Sequence, residues 1–530
     1  MNAAQAIAEG LAAAGCRHVF GMPGGEVLAL LDALRVAGLD FTLVKHENAG
    51  GYMAEGSWHA TGAPGVLIAT LGPGLANAVN TVANAYQEQV PLIVLSGCVT
   101  HEMAMKFTHQ VIDQTALMAP ITKATLRVET GDAAQVVQQA LAIAMADPMG
   151  PVHIDLPDSL ALENVAKLHE PVLKPAPKHW PDSRERRRAV EMLANAKKPI
   201  ILAGLGALHH HAGPAILDLA QKHQIPVVTT YKAKGIIPED HPLALGGHGL
   251  SPLSDQSILP LLKGSDCVIL AGYDPIEMRA GWIRPWAAEN AIEIMHAAND
   301  HGMHGCAVQF IGDVGAALAA LGGPDGPVWP DGEPAAAKAE LQRLFSSRDE
   351  WGPHQIYATL NKVLPDDAVV TVDSGAHRIL LSQMWCCKRP NSLLQSAAFC
   401  TMGVAVPLAI GYKRAAPEVP VVAVVGDAGF DMTAGDLATL RDLQAPVVIV
   451  VPVDNSLTLI EKKQTMMQLK THGVQFAGTD IVAVAQAYGG VGEVVESRAA
   501  LTMAMQAALS RDTFTVLACP IDKGDYDGAF

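Results

Sequence analysis

Charge is scarce in this sequence of 530 residues. Lys, Arg, Asp and Glu make up only 17% of it, and the formal net charge is −16. It holds no long run of Lys or Arg, so nucleic acid and anionic membrane surfaces are disfavoured as partners. Hydrophobic residues make up 50% of the chain. This composition argues against disorder and indicates a large, well-buried α/β protein.

Signals for targeting, membrane insertion and disulfide formation are also missing. The first 15 residues have no basic stretch and carry an acid among their apolar residues, which indicates an amphipathic helix and not a signal peptide. No window of about 18 uninterrupted apolar residues occurs, so no membrane span is expected. The eight cysteines form no CxxC pattern. They are predicted to be core thiols in a reducing cytoplasm.

A dinucleotide-binding fingerprint is absent as well. No G-x-G-x-x-G with a downstream ribose-binding acid opens any part of the chain. A nicotinamide-dependent oxidoreductase, which would also be an α/β protein, is therefore disfavoured.

The chain instead repeats a strand-then-helix rhythm in three blocks. Two stretches of linker composition separate them: residues 159–182, which hold four prolines, and residues 322–337, which are rich in Pro and Gly. This pattern predicts an α/β fold of three doubly wound parallel-sheet domains. The predicted limits of the domains are residues 1–165, 183–325 and 350–530.

Residues 426–461 show the rhythm most clearly. A buried strand ends at Gly426-Asp427, a helix is predicted over residues 432–442, and a second strand ends at Asp454-Asn455. Carboxyl ends of parallel strands share one sheet edge, where turn glycines let backbone amides approach a phosphate. Carboxylate and amide oxygens also suit Mg²⁺. The stretch therefore predicts a Mg²⁺-diphosphate site, with an ordinary strand crossover as the alternative.

Two other polar features allow more than one interpretation. Glu47 follows a predicted strand over residues 41–44 and precedes small residues. It is either a helix N-terminal acid favoured by the helix dipole or a buried carboxyl that exchanges protons with a ligand. The tract His209-His210-His211 looks like a metal tract, but three adjacent histidines in regular structure cannot all face one ion. We therefore predict an exposed turn there.

The order of the motifs adds up to a resemblance. VFGMPGG, HENAGGYMAEG and GPVHIDLP in the first block, with GDAGF and then DNS in the third, resemble thiamine-diphosphate-dependent enzymes of the acetolactate synthase and pyruvate decarboxylase superfamily. The resemblance covers essentially the whole chain. THQVIDQTALMAPITK, AGYDPIE, VDSGAH and CTMG are most similar to acetolactate synthase catalytic subunits of the FAD-free type. The resemblance implies a pyrimidine-binding, a central and a diphosphate-binding domain, in that order.

The resemblance also implies residue roles. Glu47 would hydrogen-bond N1′ of the aminopyrimidine, and Met402 would hold the cofactor bent. Asp427 and Asn455 would bind Mg²⁺ through their side chains, and Leu457 through its carbonyl. The resemblance places Gln110 on the substrate side. The further cofactor contacts that it implies are Gly25, Thr70, Gly375, His377, Gly426, Ala428 and Gly429.

Two positions depart from the family pattern. Ala428 stands where the metal motif usually has glycine, so the loop is expected to differ slightly. Glu461 stands where acetolactate synthases are expected to have a small apolar residue. A glutamate occupies this place in pyruvate-decarboxylase-like members and in sulfoacetaldehyde acetyltransferase, where it could protonate the intermediate or orient an anionic acceptor. The alternative is a solvated helix residue.

The implied reaction is decarboxylation of a pyruvate-like 2-oxo acid, with carboligation of the enamine to a second carbonyl. The alternatives are a decarboxylase that releases an aldehyde through Glu461 and a sulfoacetaldehyde-acetyltransferase-like enzyme. A non-catalytic paralogue would be expected to lose Glu47, Asp427 or Asn455, and all three are present.

The implied cofactors are thiamine diphosphate and Mg²⁺. FAD, as in anabolic relatives, is left open with nothing to support it. Because the family builds each active site between two subunits, a homodimer at least, and commonly a homotetramer, is expected.

Overall fold

A computed structural model describes residues 1–166, 179–299 and 301–529, so part of the first predicted linker (167–178) lies outside the described residues. Within these ranges the chain forms three six-stranded parallel sheets, one in each block. This confirms the predicted α/β class with three parallel-sheet domains. The exact domain limits stay predictions. Among the described helices, none combines the length and apolar character that a bilayer span needs.

The strands follow the chain in sets of six. The first sheet contains β1 (His18–Met22), β2 (Asp40–Leu43), β3 (Gly65–Ala69), β4 (Leu92–Cys98), β5 (Ala124–Arg127) and β6 (Val152–Pro157). The central sheet contains β7 (Pro199–Ala203), β8 (Val227–Thr230), β9 (Ala244–His248), β10 (Cys267–Ala271), β11 (Ala291–Met295) and β12 (Val308–Ile311). The third contains β13 (Val369–Val372), β14 (Leu393–Gln395), β15 (Val421–Val424), β16 (Val448–Val453), β17 (Val491–Val494) and β18 (Thr515–Pro520).

Helices connect the strands. The first domain has α1 (Ala3–Ala13), α2 (Leu28–Val36), α3 (Glu47–Thr61), α4 (Pro73–Asn77), α5 (Val79–Gln87), α6 (His101–Ala104), α7 (Gln114–Met118) and α8 (Ala133–Met145). The central part has α9 (Arg184–Ala194), α10 (Leu205–His209), α11 (Gly213–His223), α12 (Pro252–Gly264), α13 (Val314–Ala319) and α14 (Glu333–Leu344). The third domain has α15 (Pro353–Val363), α16 (Ala376–Met384), α17 (Ala405–Ala415), α18 (Asp427–Thr433), α19 (Leu437–Leu443), α20 (Thr458–Met466), α21 (Ile481–Ala487) and α22 (Arg498–Ala508).

The third sheet repeats the topology of the first. The strand orders are β2-β1-β3-β4-β6-β5 and β14-β13-β15-β16-β18-β17, and all pairs are parallel. In both sheets the strand order reverses between the first and third strands of the domain. Such a switch point opens a crevice outside the carboxyl ends of the strands. Gly25 and Thr70 follow β1 and β3 at the first crevice, whereas Gly375 and Gly426 follow β13 and β15 at the other.

The first and third domains pack through α3 and α17. Both helices contribute to one hydrophobic core, with Tyr52 from α3 and Leu408 from α17. A Cβ atom on Gly56 would overlap the carbonyl oxygen of Leu408, and one on Gly411 would overlap that of Met53. The two glycines therefore let the helix backbones touch, and this contact fixes the first domain against the third.

Three local predictions are wrong. The helix predicted over residues 432–442 already begins at Asp427, because Gly426 is its extended N-cap residue, and it is interrupted by a 3₁₀ turn at 434–436. Cys400 is an exposed thiol, although five other cysteines are buried as predicted. The histidine tract is not a simple exposed turn, since only His211 is exposed and the residues before it are partly covered by neighbouring elements.

The helix contact gives a direct test. We expect Gly411→Ala to lower the free energy of unfolding by about 1–3 kcal/mol, because the new methyl group must push the α3 backbone away. Urea unfolding followed by circular dichroism would measure this. Gly264→Ala, at a position with open space around the Cβ, is the matched control and should stay within about 0.5 kcal/mol of the wild type. Equal effects of the two substitutions would contradict the close-contact interpretation.

Candidate active site

A cavity of about 210 Å³ lies at the switch point of the third sheet. It is called here the third-domain cavity, because every residue that lines it belongs to that domain. The loop after β13, the start of α18 and the loop between β16 and α20 form its walls. Its lining includes Ser374, Gly375, His377, Met402, Gly426, Asp427, Ala428, Gly429, Asp454, Leu457, Thr458 and Tyr526.

Asp427 ties the ends of two strands together. Its Oδ2 accepts backbone N–H groups from Asp454 at 3.0 Å and Asn455 at 2.6 Å, and its Oδ1 accepts from Ala428 at 2.8 Å. Burial raises the pKa of this carboxyl despite the three donors. A cation in the cavity would offset that burial. Ala428 lies in the first turn of α18, and its backbone is not in the left-handed region. Alanine is therefore accommodated at this position in place of glycine.

The other two predicted metal ligands are placed differently. The amide oxygen of Asn455 lies beside Gly478, and Asn455 is exposed with a φ of 54°. The carbonyl of Leu457 accepts the N–H groups of Ile460 and Glu461 at the start of α20. Asp454 is the additional carboxylate that lines the cavity. Metal binding by Asn455 and Leu457 stays a prediction.

The opposite wall suits a phosphate group. Ser374 Oγ and His377 Nε2 are buried and have no hydrogen-bond partner among the residues that the structure describes. Burial, with the nearby charge of Arg378, lowers the pKa of His377 to about 3, so its ring is neutral at pH 7. The glycines at 375 and 426 leave just enough space for this ring. Two unpartnered polar groups opposite an acid at a strand edge fit a Mg²⁺-bound diphosphate.

The loop that carries Met402 is held at its far end by Asp373. The carboxyl oxygens of Asp373 accept N–H groups from Gly403 at 3.0 Å and Val404 at 2.8 Å. A side chain at Gly429 would overlap one of these oxygens, so glycine is required there by close packing. Burial raises the pKa of Asp373 to about 6. Met402 therefore projects into the cavity from a fixed anchor.

Glu88, from the first domain, holds the near end of the same loop. Its Oε1 accepts from the backbone of Ala398 at 2.9 Å and Phe399 at 3.1 Å, and from Ser396 Oγ at 3.1 Å. Its Oε2 forms a 2.5 Å ion pair with Lys232 of the central domain, and both side chains are buried. One carboxylate thus joins all three domains at the base of the Met402 loop.

Glu47 lies at the first domain, outside the third-domain cavity. It is the first residue of α3 and is buried. This position is compatible both with a helix N-terminal acid and with a proton-exchanging carboxyl, so neither interpretation is confirmed. Its Oε2 accepts from Asn77 Nδ2 at 2.9 Å, and its Oε1 lies against the side of Gly74 where a Cβ atom would point. The carboxyl therefore has one engaged oxygen and one at a small-residue surface. Such an oxygen is available to a flat ligand group.

The remaining first-domain predictions fall at its switch point. Thr70 donates to Glu26 Oε2 at 2.6 Å, and the space around Gly25 is open. Gln110 is exposed with a φ of 61°. The residue that anchors this loop is Gln114, whose Oε1 accepts the N–H of Gly72 in the Gly-Pro-Gly turn at 2.7 Å and whose Nε2 donates to the buried network below.

Glu461 is not a freely solvated helix residue. Its Oε1 is 2.7 Å from the Lys523 ammonium, and its Oε2 accepts from Ser456 Oγ at 2.6 Å. The hydrogen bond from Lys523 is the main cause that lowers the pKa of this carboxyl. Glu461 lines a wider groove that shares Thr458 and Tyr526 with the third-domain cavity. It is therefore an anionic group in a groove next to the third-domain cavity.

Sequence reasoning missed Asp373, Glu88 and Gln114 as site-organising residues. Asp373 lies in the quoted VDSGAH stretch, directly after a buried strand, and that position was a usable signal. Glu88 and Gln114 act through residues that are distant in the chain and carry no local pattern.

The three-domain contact at Glu88 is testable. Glu88→Gln should cost roughly 3 kcal/mol in the free energy of unfolding, because it leaves a buried Lys232 ammonium without its counter-charge. Lys232→Met should have a similar cost. In the double variant the two costs should be far from additive, since the partners are lost together. Urea unfolding of the wild type, the two single variants and the double variant completes this double-mutant cycle. Glu418→Gln, which changes an exposed acid, is the control. Additive costs would show that the pair is not coupled.

Comparisons with known proteins agree with this geometry. Three family models of thiamine pyrophosphate enzymes match the chain: the N-terminal TPP binding domain at residues 1–117, the central domain at 186–321 and the C-terminal TPP binding domain at 373–519. Each model falls on one of the three sheets, and the two TPP-binding models fall on the two sheets of equal topology.

Full-length relatives agree as well. A protein of Methanocaldococcus jannaschii described as "Probable acetolactate synthase large subunit" is 31% identical over 515 residues, covering 92% of this chain and 86% of the relative. An acetolactate synthase of Bacillus subtilis is 30% identical over 98% of this chain and 93% of its own length. A catabolic acetolactate synthase of Raoultella terrigena is 28% identical over 99% and 96%. The chain therefore belongs to the thiamine pyrophosphate enzymes, as an acetolactate-synthase-like member.

Proposed function

We propose that this enzyme uses Mg²⁺ with thiamine diphosphate to decarboxylate a pyruvate-like 2-oxo acid and to join the product to a second carbonyl compound. The observation that carries the proposal is the third-domain cavity at a sheet switch point, which is lined by Asp427 together with Ser374 and His377. The last two have polar atoms without a hydrogen-bond partner among the described residues. Asp427 and the strand ends that it joins would hold the ion, and the neutral His377 ring with Ser374 would meet the diphosphate.

When bound, thiamine diphosphate supplies the electron sink that makes loss of carbon dioxide from a 2-oxo acid feasible. The chain's residues would orient and shield that chemistry. Met402, fixed by Asp373 at the end of its loop, shapes the apolar wall of the cavity. Glu47 would hold and move a proton at its less engaged Oε1, while Asn77 keeps the carboxyl in place.

Ligation is favoured over aldehyde release by the state of Glu461. Its carboxyl is bound by Lys523 and Ser456, and its pKa is lowered, so at pH 7 it carries a negative charge and no proton to donate. A side chain in that state is a poor general acid. The simple decarboxylase and the sulfoacetaldehyde-acetyltransferase-like reaction remain outcomes of the product test below.

The complete site is proposed to form between two copies of the chain. Support comes from the separation of its parts: Glu47 and Gly25 lie at the first domain, and the third-domain cavity is lined by that domain alone. A dimer would let the first domain of one copy cover the cavity of the other. We propose a homodimer as the minimum, a homotetramer as the complete assembly, and a cytoplasmic location.

Two substitutions separate cofactor binding from turnover. Asp427→Asn should raise the concentrations of Mg²⁺ and thiamine diphosphate needed for half-maximal activity by at least about tenfold, since the ion loses its charged ligand. Glu47→Gln should leave cofactor binding intact but lower kcat by at least about a hundredfold, because it removes the proton-carrying group. Calorimetry and steady-state rates measure the two effects. Asp431→Asn, an exposed acid in the same helix as Asp427, should behave as wild type. Full activity of Glu47→Gln would contradict the proposed role of Glu47 in proton transfer.

The product decides the reaction class. We expect a 2-hydroxy-3-oxo acid as the main product when the enzyme is supplied with pyruvate, thiamine diphosphate and Mg²⁺, as judged by NMR of the reaction mixture. Glu461→Gln should leave the ratio of ligated product to aldehyde unchanged, because the wild-type carboxyl has no proton to give. Aldehyde as the main wild-type product, falling in Glu461→Gln, would instead assign the decarboxylase role.

A further inference from the structure

Three side chains converge where the first domain meets the central domain. Asp147 follows α8 of the first domain by two residues. His210 is the C-cap residue of α10, and His296 follows β11 directly, both in the central domain. Because each residue stands at the end of a regular element, the packing of the two domains brings them together. They lie outside the third-domain cavity and have no part in the proposed reaction.

The distances in this cluster are short. Asp147 Oδ2 is 2.8 Å from His210 Nε2, and Asp147 Oδ1 is 3.3 Å from His296 Nε2. The two imidazole rings stack with their centroids 4.2 Å apart. One ligand atom from each of the three side chains lies within 4.8 Å of the others. The adjacent ligands of a tetrahedral Zn²⁺ ion are separated by about 3.3 Å, so little movement is needed to place an ion among these atoms.

We infer that Asp147, His210 and His296 form a site for one divalent transition-metal ion of the Zn²⁺ class, which links the first domain to the central domain. Two imidazole nitrogens and one carboxylate oxygen are a ligand set that Zn²⁺, Co²⁺ and Ni²⁺ accept, whereas Mg²⁺ prefers oxygen ligands alone. Solvent or a ligand from solution completes the coordination, since the Asp147 and His210 side chains are 23% and 26% exposed.

The charges around the cluster favour a cation. Burial alone would raise the pKa of Asp147, but the hydrogen bond from His210 and the charge of His296 lower it, so the carboxylate is ionised. Asp313 adds negative potential near His210. Lys123 is the opposing cation, and its ammonium is already bound by the backbone carbonyls of Ile143 and Ala146.

Only one histidine of the adjacent tract takes part. The ring of His209 packs edge-on against Trp58, and His211 is exposed with a φ of 52°. The expectation that three adjacent histidines cannot share an ion therefore holds, but the partners of His210 come from distant parts of the chain. His211 is a matched control, because it lies next to a proposed ligand and outside the cluster.

The test is a metal titration of the full-length, tag-free protein at pH 7.5, stripped with a chelator and then saturated with Mg²⁺ and thiamine diphosphate. Co²⁺ binding followed by visible absorbance, and Zn²⁺ binding followed by calorimetry, should each show one equivalent per chain. His296→Ala and His210→Gln should weaken this binding by at least about a hundredfold, while His211→Ala keeps it. His210→Gln retains a hydrogen-bond donor for Asp147, so it preserves the domain contact without the imidazole ligand.

Two further readouts accompany the titration. Asp427→Asn should keep the Zn²⁺ equivalent, which separates this site from the proposed Mg²⁺ site. Zn²⁺ should raise the thermal midpoint of wild type and His211→Ala but not of His296→Ala, because an ion bound only to the folded state stabilises it. Binding should weaken as the pH falls, because protons compete with the metal ion for the imidazole nitrogens. Absence of a tight equivalent in the wild type, or equal binding by His296→Ala, would reduce the cluster to a hydrogen-bonded contact and overturn the inference.

Discussion

The carboxylate of Asp427 is the interaction on which the third domain's cavity depends. It accepts N–H groups from the end of β16 while it stands at the end of β15, so two neighbouring strand ends are held at one spacing. A buried carboxylate that serves both as a backbone anchor and as part of the cavity's lining is costly unless a cation shares it. The same side chain therefore belongs both to the local fold of the third domain and to the proposed Mg²⁺ site.

A second constraint is the repeated sheet. Since the first and third sheets have the same strand order, each presents a crevice at an equivalent place. Glu47 is the first residue of the helix that follows the second strand of the first domain, and Met402 lies between the equivalent strand and helix of the third. These two helices, α3 and α17, cross at Gly56 and Gly411. The fold thus supplies two different surfaces for one cofactor, and Glu88 couples their domains through the Met402 loop.

Much of this could be predicted from the sequence. Buried strands that end in glycine turns identify the sheets, and Asp427 follows from its place after such a strand. Local pattern does not reveal contacts between distant residues, so Glu88 and the cluster around His210 were not predictable. The helix after Gly426 began earlier than predicted because an N-cap needs only an extended backbone, which left no distinct sequence signal. The orientation of Asn455 depends on a contact with Gly478 in a separate loop, and the spacing of residues in the sequence does not predict that contact.

The central claim is that two copies of the chain build each active site, with Glu47 from one and Asp427 from the other. The most direct test mixes Glu47→Gln with Asp427→Asn under conditions that exchange subunits and assays 2-oxo acid consumption. Mg²⁺ and thiamine diphosphate are kept at the lowest concentrations that saturate the wild type, where Asp427→Asn alone should have little activity. A mixed dimer would contain one intact site and one doubly defective site, so random exchange should restore about a quarter of wild-type activity. If both functional groups of each site came from the same chain, the mixture would stay as inactive as its components, and the account would be wrong.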